Sequence, residues 1–493
     1  MNILMLYPNI PDTFWSFKHA IKMIGKKTAY PPLGLLTIAG MLPDEWGQRL
    51  VDLNVEKLKK RDLEWADVAF ISGMVIQRDG ARQLIKQCRD AGIKVVAGGP
   101  LFSTEYPYFE DVDHFFLGEA EQTMPYFIED LKNGTLKKYY QAEDFPDLEE
   151  TPKPKWELIK LKRYASMSIQ YSRGCPFNCE FCNVTSLFGH KPRTKTASQT
   201  IDELESLWKA GWRGNVFFVD DNLLSHKQHL KKELLPRLIE WQKERKGVNF
   251  NTEISINVAD DEELLDMLVK AGFDTVFIGI ETPNEESLTE CNKQQNTKRN
   301  LLEDVKKLHR AGLQVQGGFI VGFDNDTPSI FQQQIDFIQN SGVVTAMVGM
   351  LEAVPGTHLY ERLKKEKRLL DKESSGDNVD GTTNIIPTMN CDTLVNGYKS
   401  IMEYIYSPEN FYQRVKTFLK EYETPDIRRP LSFERIVAFL RSIVKLGILS
   451  KGRLQYWKLL LWTSVRKPKL FPLAVTLMVY GYHFRKTFEA HMR

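Results

Sequence analysis

Short runs of consecutive apolar residues, at 3–6, 50–53, 68–72, 95–97 and 115–117, recur through the first 130 residues of this chain. Stretches with helical spacing lie between them, among them 33–42 and 79–91. Short buried strands alternating with helices predict an α/β fold with a doubly wound parallel sheet. A second alternating series follows, with strands expected at 167–171, 216–219, 250–256, 275–280, 315–321 and 343–350. Within it, Asp260 and Glu263 have the spacing of a capping box, and Gly272 ends the helix that they start. Six strand–helix units predict a partial (β/α)6 barrel of the TIM type. Residues 143–162, rich in proline and charge, read as a linker, and 374–383 as a polar loop. Helical patterns dominate the remainder: Leu431, Ile436, Val437, Leu440, Ile443 and Val444 fall at helical spacing with Arg435, Arg441 and Lys445 interleaved. The expected organisation is therefore 1–142, a linker at 143–162, 163–372 and a helical basic region at 373–493.

In both predicted architectures ligands gather at the carboxyl ends of the strands. In the first series those ends carry Pro8-Asn9, Asp52-Leu53-Asn54, Ser72-Gly73-Met74, Gly98-Gly99-Pro100 and Gly118-Glu119-Ala120-Glu121. Glycine there lets backbone come close to a large flat or phosphorylated ligand. Neither G-x-G-x-x-G nor G-x-x-x-x-G-K-[ST] occurs, so nicotinamide and nucleoside-triphosphate readings lose their main support. In the second series the ends carry a cysteine loop, then Asp220-Asp221-Asn222, Ser255 with Asn257, Glu281-Thr282-Pro283-Asn284, Gly322-Phe323-Asp324 and Pro355-Gly356-Thr357.

The cysteine loop, Arg173-Gly174-Cys175-Pro176-Phe177-Asn178-Cys179-Glu180-Phe181-Cys182, is a C-x3-C-x2-C run. Three thiolates can hold three irons of a 4Fe-4S cluster, which normally takes four, so one iron is left for an outside ligand. A structural zinc site would want four N or S ligands, and His190 is the only histidine close by. Cys88, Cys291 and Cys391 stand alone and read as ordinary thiols.

This run resembles the signature of the radical S-adenosylmethionine (SAM) superfamily, in which the amino and carboxylate groups of SAM chelate the open iron. The resemblance implies that Cys175, Cys179 and Cys182 are the cluster ligands and that the backbone at Phe181 meets the adenine. The segments "GIE", "GGFIVGF" and "PGT" are similar to the same core. They imply that Glu281 hydrogen-bonds the ribose hydroxyls and that Asp220 or Asp221 lies near the methionine amino end or the substrate. Asn257, Gly322 and Pro355 join the SAM-binding candidates on the same face.

The first 142 residues resemble the Rossmann-like cobalamin-binding domain that precedes many such cores. That implies cobalamin contacts at Pro8, Asn54, Ser72, Gly73, Gly98, Gly99, Gly118 and Glu119. The D-x-H-x-x-G motif is absent, since Asp113-His114 has the wrong spacing, so no protein histidine is expected on cobalt. A domain that has lost its ligand is the alternative. Residues 471–486 resemble the C-terminal extension of a subgroup that includes the hopanoid C-2 methylases. The whole resemblance implies a cobalamin-dependent radical SAM C-methyltransferase that cleaves SAM to a 5'-deoxyadenosyl radical and methylates an unactivated carbon, with a lipid such as a hopanoid as one candidate substrate. Other cobalamin-containing radical SAM chemistry, and a cobalamin or redox sensor, are the alternatives. A methylthiotransferase fits less well, because the chain lacks a second cysteine triplet near its start.

Length and charge refine this picture. At 493 residues about three domains are expected. Three cysteines beyond the triplet make no disulfide framework, and Pro8 arrives too early for a signal peptide, so a cytoplasmic location is expected. The net charge is only +2, yet from Ser407 to Arg493 there are 17 Lys and Arg against 6 Asp and Glu, a net of +11, leaving −9 for the rest. Such a tail suits a helical cap on the acidic body, or peripheral contact with an anionic membrane, better than nucleic acid. The apolar run at 470–482 is thirteen residues long, short of the ~20 needed to cross a bilayer. The expected partners are a small-molecule or lipid substrate and an external electron donor of flavodoxin or ferredoxin type.

Overall fold

The computed structural model describes residues 1–245, 247–377, 379–424 and 433–491, apart from the side chains of 433–435. Leu431 and the Arg435 side chain fall outside that description.

Two parallel sheets carry the molecule. The first contains β1 (Asn2–Tyr7), β2 (Gly47–Asp52), β3 (Val68–Ser72), β4 (Lys94–Gly98), β5 (His114–Leu117) and β6 (Tyr139–Gln141). Its order is β2-β1-β3-β4-β5-β6, every pair parallel. The order reverses between β1 and β3, and that reversal opens a crevice at the strand ends. Strand β6 is an addition to the five strands expected from sequence. Only Tyr140 of its three residues is buried, too short an apolar signal to read.

The second sheet follows after two-residue strands are set aside: β7 (Ser166–Ile169), then the hairpin of β8 (Ser172–Arg173) with β9 (Arg193–Thr194), then β10 (Asn215–Phe218), β11 (Asn249–Glu253), β12 (Phe273–Glu281), β13 (Gln314–Val321) and β14 (Thr345–Met350). The order is β7-β10-β11-β12-β13-β14, all parallel, each neighbour next in sequence apart from the hairpin. This is the open, six-unit barrel. The helix Glu262–Lys270 is capped by Asp261, whose side chain accepts from Leu264 N at 3.0 Å. Asp260, the cap expected from sequence, instead pairs with Arg299 at 2.8 Å. Gly272 does end that segment, with φ +102°.

One face of the first sheet has its own core, built from Leu4, Leu6, Val95, Ala97 and Phe115. Ile3 and Met5 on the other face belong to a core that continues through the second sheet to Phe484 of the last helix, Phe471–His491. Residues 148–163 hold three single 3-10 turns, Leu148–Glu150, Trp156–Leu158 and Leu161–Arg163, and are tied down on the way, with Lys155 N donating to Leu36 O at 3.1 Å and Trp156 buried. The C-terminal helices Cys391–Tyr406 and Pro408–Glu421 pack on the barrel. There Tyr406 Oη donates to Ala346 O of β14 at 2.6 Å, and Arg414, fully buried, donates to Ile405 O and Val344 O.

Candidate active site

The cysteine loop is held by the acidic pair that ends β10. Asp220 accepts from Tyr171 N at 3.2 Å and from Ser172 N and Ser172 Oγ, while Asp221 accepts from Gly174 N at 3.0 Å. Burial pushes the Asp220 carboxyl up to about 7 and Asp221 up to about 6, against the pull of those donors. Both aspartates therefore shape the loop itself. From the far side, Glu180 N donates to Cys291 O at 2.9 Å, Leu359 N to Glu180 O at 2.9 Å, and Arg362 grips the Glu180 carboxylate with Nε at 2.6 Å and Nη2 at 3.1 Å.

The three thiols converge. Burial pushes Cys182 up to about 12, and charge on Cys179 or Cys175 pushes the same way. Cys175 is raised by burial foremost, with Cys179 also acting on it. Cys175 and Cys182 are therefore poor thiolates without a cation beside them, and a metal cluster supplies one. The donor set thus fits iron held by three cysteines. Cys291 is close enough to Cys179 to feel its charge, but its thiol turns into the core and donates to Leu288 O at 3.6 Å.

Beside the loop lies a lysine that sequence patterns do not flag. Lys293 Nζ bonds Glu281 Oε1 at 2.7 Å and stands 5.9 Å from the Phe181 ring centroid. Burial opposes its charge, but Glu281 and then Cys179 hold the ammonium well above its usual range. Glu281 adopts φ +63° where the pairing of β12 with β13 slips by one residue, which turns its side chain toward Lys293. Asn257 accepts from Ser255 Oγ at 2.7 Å, and Ser255 Oγ in turn accepts from Asn222 Nδ2 at 3.2 Å. Gly322 N and Phe323 N donate to buried Asp326. Pro355 precedes Gly356, which has φ +85° and where an added β-carbon would fall 3.2 Å from Ser186 Oγ. Glu253 on β11 is a second residue missed from sequence. Burial and then Asp221 push it up to about 8.

The ends of the first sheet face this mouth. Asn54 bridges two strand ends, accepting from Ile10 N at 2.7 Å and donating to Pro8 O at 3.2 Å, and Gln77 donates to the same carbonyl at 2.6 Å. Gly73 O accepts from Leu101 N at 3.1 Å, Gly98 abuts Phe116, and Gly118 N donates to Ser103 Oγ at 3.0 Å. Gly99 has φ +91°, and a β-carbon there would fall 2.5 Å from Ser72 Oγ. Such side-chain-free rims fit a large planar group. Glu119 departs from the cobalamin expectation. Its carboxylate is taken by Arg173 and by Arg193 at 2.5 Å, and Arg173 reaches Glu121 at 2.8 Å, so this acidic tip clasps the cysteine loop.

Between the sheets, the segment after β1 reaches over the barrel. Trp15 packs on Phe277 of β12 with centroids 4.9 Å apart, and Tyr30 on Phe217 of β10 at 5.2 Å.

The chain matches the B12 binding domain over residues 26–128, the radical SAM superfamily over 169–338, and a domain of unknown function, DUF4070, over 357–493. It is 40% identical to an uncharacterized methyltransferase of Synechocystis, over 98% of this chain and 91% of that protein. It is 34% identical to the hopanoid C-2 methylase of Rhodopseudomonas palustris, over 94% of this chain and 89% of that one. The chain belongs to the cobalamin-dependent radical SAM methyltransferases. Among solved structures it shares the fold of the radical SAM methyltransferase TsrM from Kitasatospora setae, with TM-score 0.61 at 15% identity and all of both chains covered. It shares that of the cobalamin-dependent radical enzyme OxsB with TM-score 0.63 at 15% identity, covering 99% of this chain and 80% of that one. As a radical SAM methyltransferase it uses a 4Fe-4S cluster, SAM and cobalamin, acts on a small molecule and draws on an external electron donor. No helix among the described residues is long and apolar enough to cross a membrane.

Proposed function

We propose that this methyltransferase adds a methyl group to an unactivated carbon of a polycyclic lipid of hopanoid type, which it meets at an anionic membrane surface. The observation that carries the reading is on the C-terminal helices. Ile436, Leu440, Val444 and Ile448 form one exposed stripe, and Leu454, Trp457, Leu461 and Val465 form a second on the following helix, Arg453–Arg466. Leu461 and Val465 are 69% and 71% exposed. Residues 435–487 contain eleven Lys and Arg and no Asp or Glu. An apolar face framed only by cations matches an anionic bilayer surface in chemistry and in charge. That the Rhodopseudomonas relative is a hopanoid C-2 methylase supports the lipid class.

Within the site, Cys175, Cys179 and Cys182 hold the cluster. Glu281 and Asn257, the backbone at Phe181 and Gly322, and Pro355 surround SAM, with Asp220 and Asp221 fixing the loop beneath it. Pro8, Asn54, Ser72, Gly73, Gly98, Gly99 and Gly118 form the cobalamin rim. When bound, the cluster supplies an electron to SAM, and cobalamin supplies the methyl group. The chain's own part is to exclude water and orient the substrate. Trp15, Tyr30, Phe217 and Phe277 present flat apolar faces suited to fused rings. A flavodoxin or ferredoxin serves as electron donor.

Three experiments test this. Reduced, reconstituted protein incubated anaerobically with SAM should release 5'-deoxyadenosine, and Cys175→Ala should not. With methyl-labelled SAM and an extracted polycyclic lipid fraction, label should enter the lipid; label found only in water-soluble products would refute the lipid assignment. Flotation with phosphatidylcholine vesicles containing phosphatidylglycerol should carry the protein, and Leu461→Glu with Val465→Glu should abolish flotation. Wild type that dimerises through this face and ignores the vesicles would assign the face to a second copy.

A further inference from the structure

The loop that bears Trp15 is fastened to the last helix by a group of side chains with no part in the chemistry above. His19 Nε2 lies 2.8 Å from Asp12 Oδ2, and His483 of the helix Phe471–His491 stands beside them. One donor atom from each lies within 4.8 Å of the others. We propose that Asp12, His19 and His483 bind a divalent cation of the zinc type, separate from the cluster and cobalamin positions, which pins the Trp15 loop over the barrel mouth.

The tautomer of His483 is fixed by its surroundings. Its Nε2 is 3.0 Å from the Phe14 carbonyl, which can only accept, so Nε2 carries the proton and Nδ1 presents a lone pair toward Asp12 and His19. That lone pair has only distant donors, Thr487 Oγ1 at 3.3 Å and His19 N at 3.5 Å. A metal-binding imidazole usually donates its other N–H to a carbonyl in this way. His19 Nε2, though near the carboxylate, has no hydrogen bond along its own ring direction. Asp12 also accepts from Thr487 Oγ1 at 3.2 Å.

Ligands about 2.0 Å from a tetrahedral zinc are ~3.3 Å apart, so donors now within 4.8 Å of one another need to shift by at most ~1.5 Å, Asp12 and His19 moving slightly apart from 2.8 Å, and water completes the shell. The same loop holds Phe17 at φ +45°, a conformation that a phenylalanine keeps only when its surroundings impose it. Phe17 stacks on His483 with centroids 5.5 Å apart.

The test uses holoenzyme with an intact cluster, so that the cysteine thiols are not free to take up zinc. Equilibrated with micromolar zinc, desalted and measured by plasma mass spectrometry, wild type should retain about one zinc per chain beside the cluster iron. His19→Ala and Asp12→Asn should each lower that stoichiometry at least tenfold with iron unchanged, and zinc should raise the melting temperature of wild type only. No retained zinc in wild type, or retention unaltered in both variants, would overturn the proposal.

Discussion

Gly279 has no room for a side chain: a β-carbon there would lie 2.2 Å from Glu281 Oε1 and 2.8 Å from Lys293 Nζ. Both are the ends of flexible chains, so Gly279→Ala should fold and keep its iron while the Glu281 carboxylate moves aside. We expect SAM affinity to fall about tenfold, the loss of one good hydrogen-bonded contact, measured by equilibrium binding. Glu253 offers a pH signature. Its carboxyl is raised from 4.5 to about 8 by burial foremost, so the folded chain keeps a proton that the unfolded chain releases. Stability therefore falls as pH rises through that window, and Glu253→Gln removes the cost. Its melting temperature should exceed that of wild type at pH 8 by roughly 2 °C or more, with little difference at pH 5. The place of Glu281 at a strand end was legible from the three letters around it. Lys293 was not, because a lysine in a polar loop has no distinguishing neighbours until the fold turns it inward.

At the scale of elements, the cysteine loop is a clamp with two jaws. One is the Asp220–Asp221 turn; the other is Arg173 between Glu119 and Glu121, whose side chains are 3% and 4% exposed. Removing one partner of a buried ion pair strands the others, at a cost of about 3–5 kcal/mol. Arg173→Ala should lose stability of that order in chemical denaturation and lower iron retention, whereas Lys60→Ala, in a surface pair, should change neither. Sequence placed Glu119 and both aspartates at strand ends correctly, but it assigned them to ligands. Each carboxylate accepts from protein donors, and only the approach of the β5 and β10 ends to the cysteine loop reveals which. The helix at Glu262 shows the same limit in small: adjacent aspartates at 260 and 261 both suit a cap, and a single residue of phase decides.

Across the whole molecule, the two sheets meet mouth to mouth, joined by Glu119 with Arg173, by Asp52 with Tyr164 at 3.0 Å, and by the Trp15 segment. Trp15, packed on Phe277 of the barrel, should help couple SAM cleavage to methylation by keeping water out. Trp15→Ala should keep 5'-deoxyadenosine release while at least halving methylated product per release, read by chromatography of both products. The sequence by itself determined the two alternating series, the glycine-rich strand ends and the cysteine triplet in its loop. Those depend on local spacing, which a strand's or a loop's own residues impose. Tertiary structure alone decided that Lys293 and Glu253 join the site, that Glu119 closes the loop, and that the tail's apolar residues split between a buried face and an exposed one. These depend on side chains from distant elements sharing one volume, where burial and charge act on whatever the fold brings together.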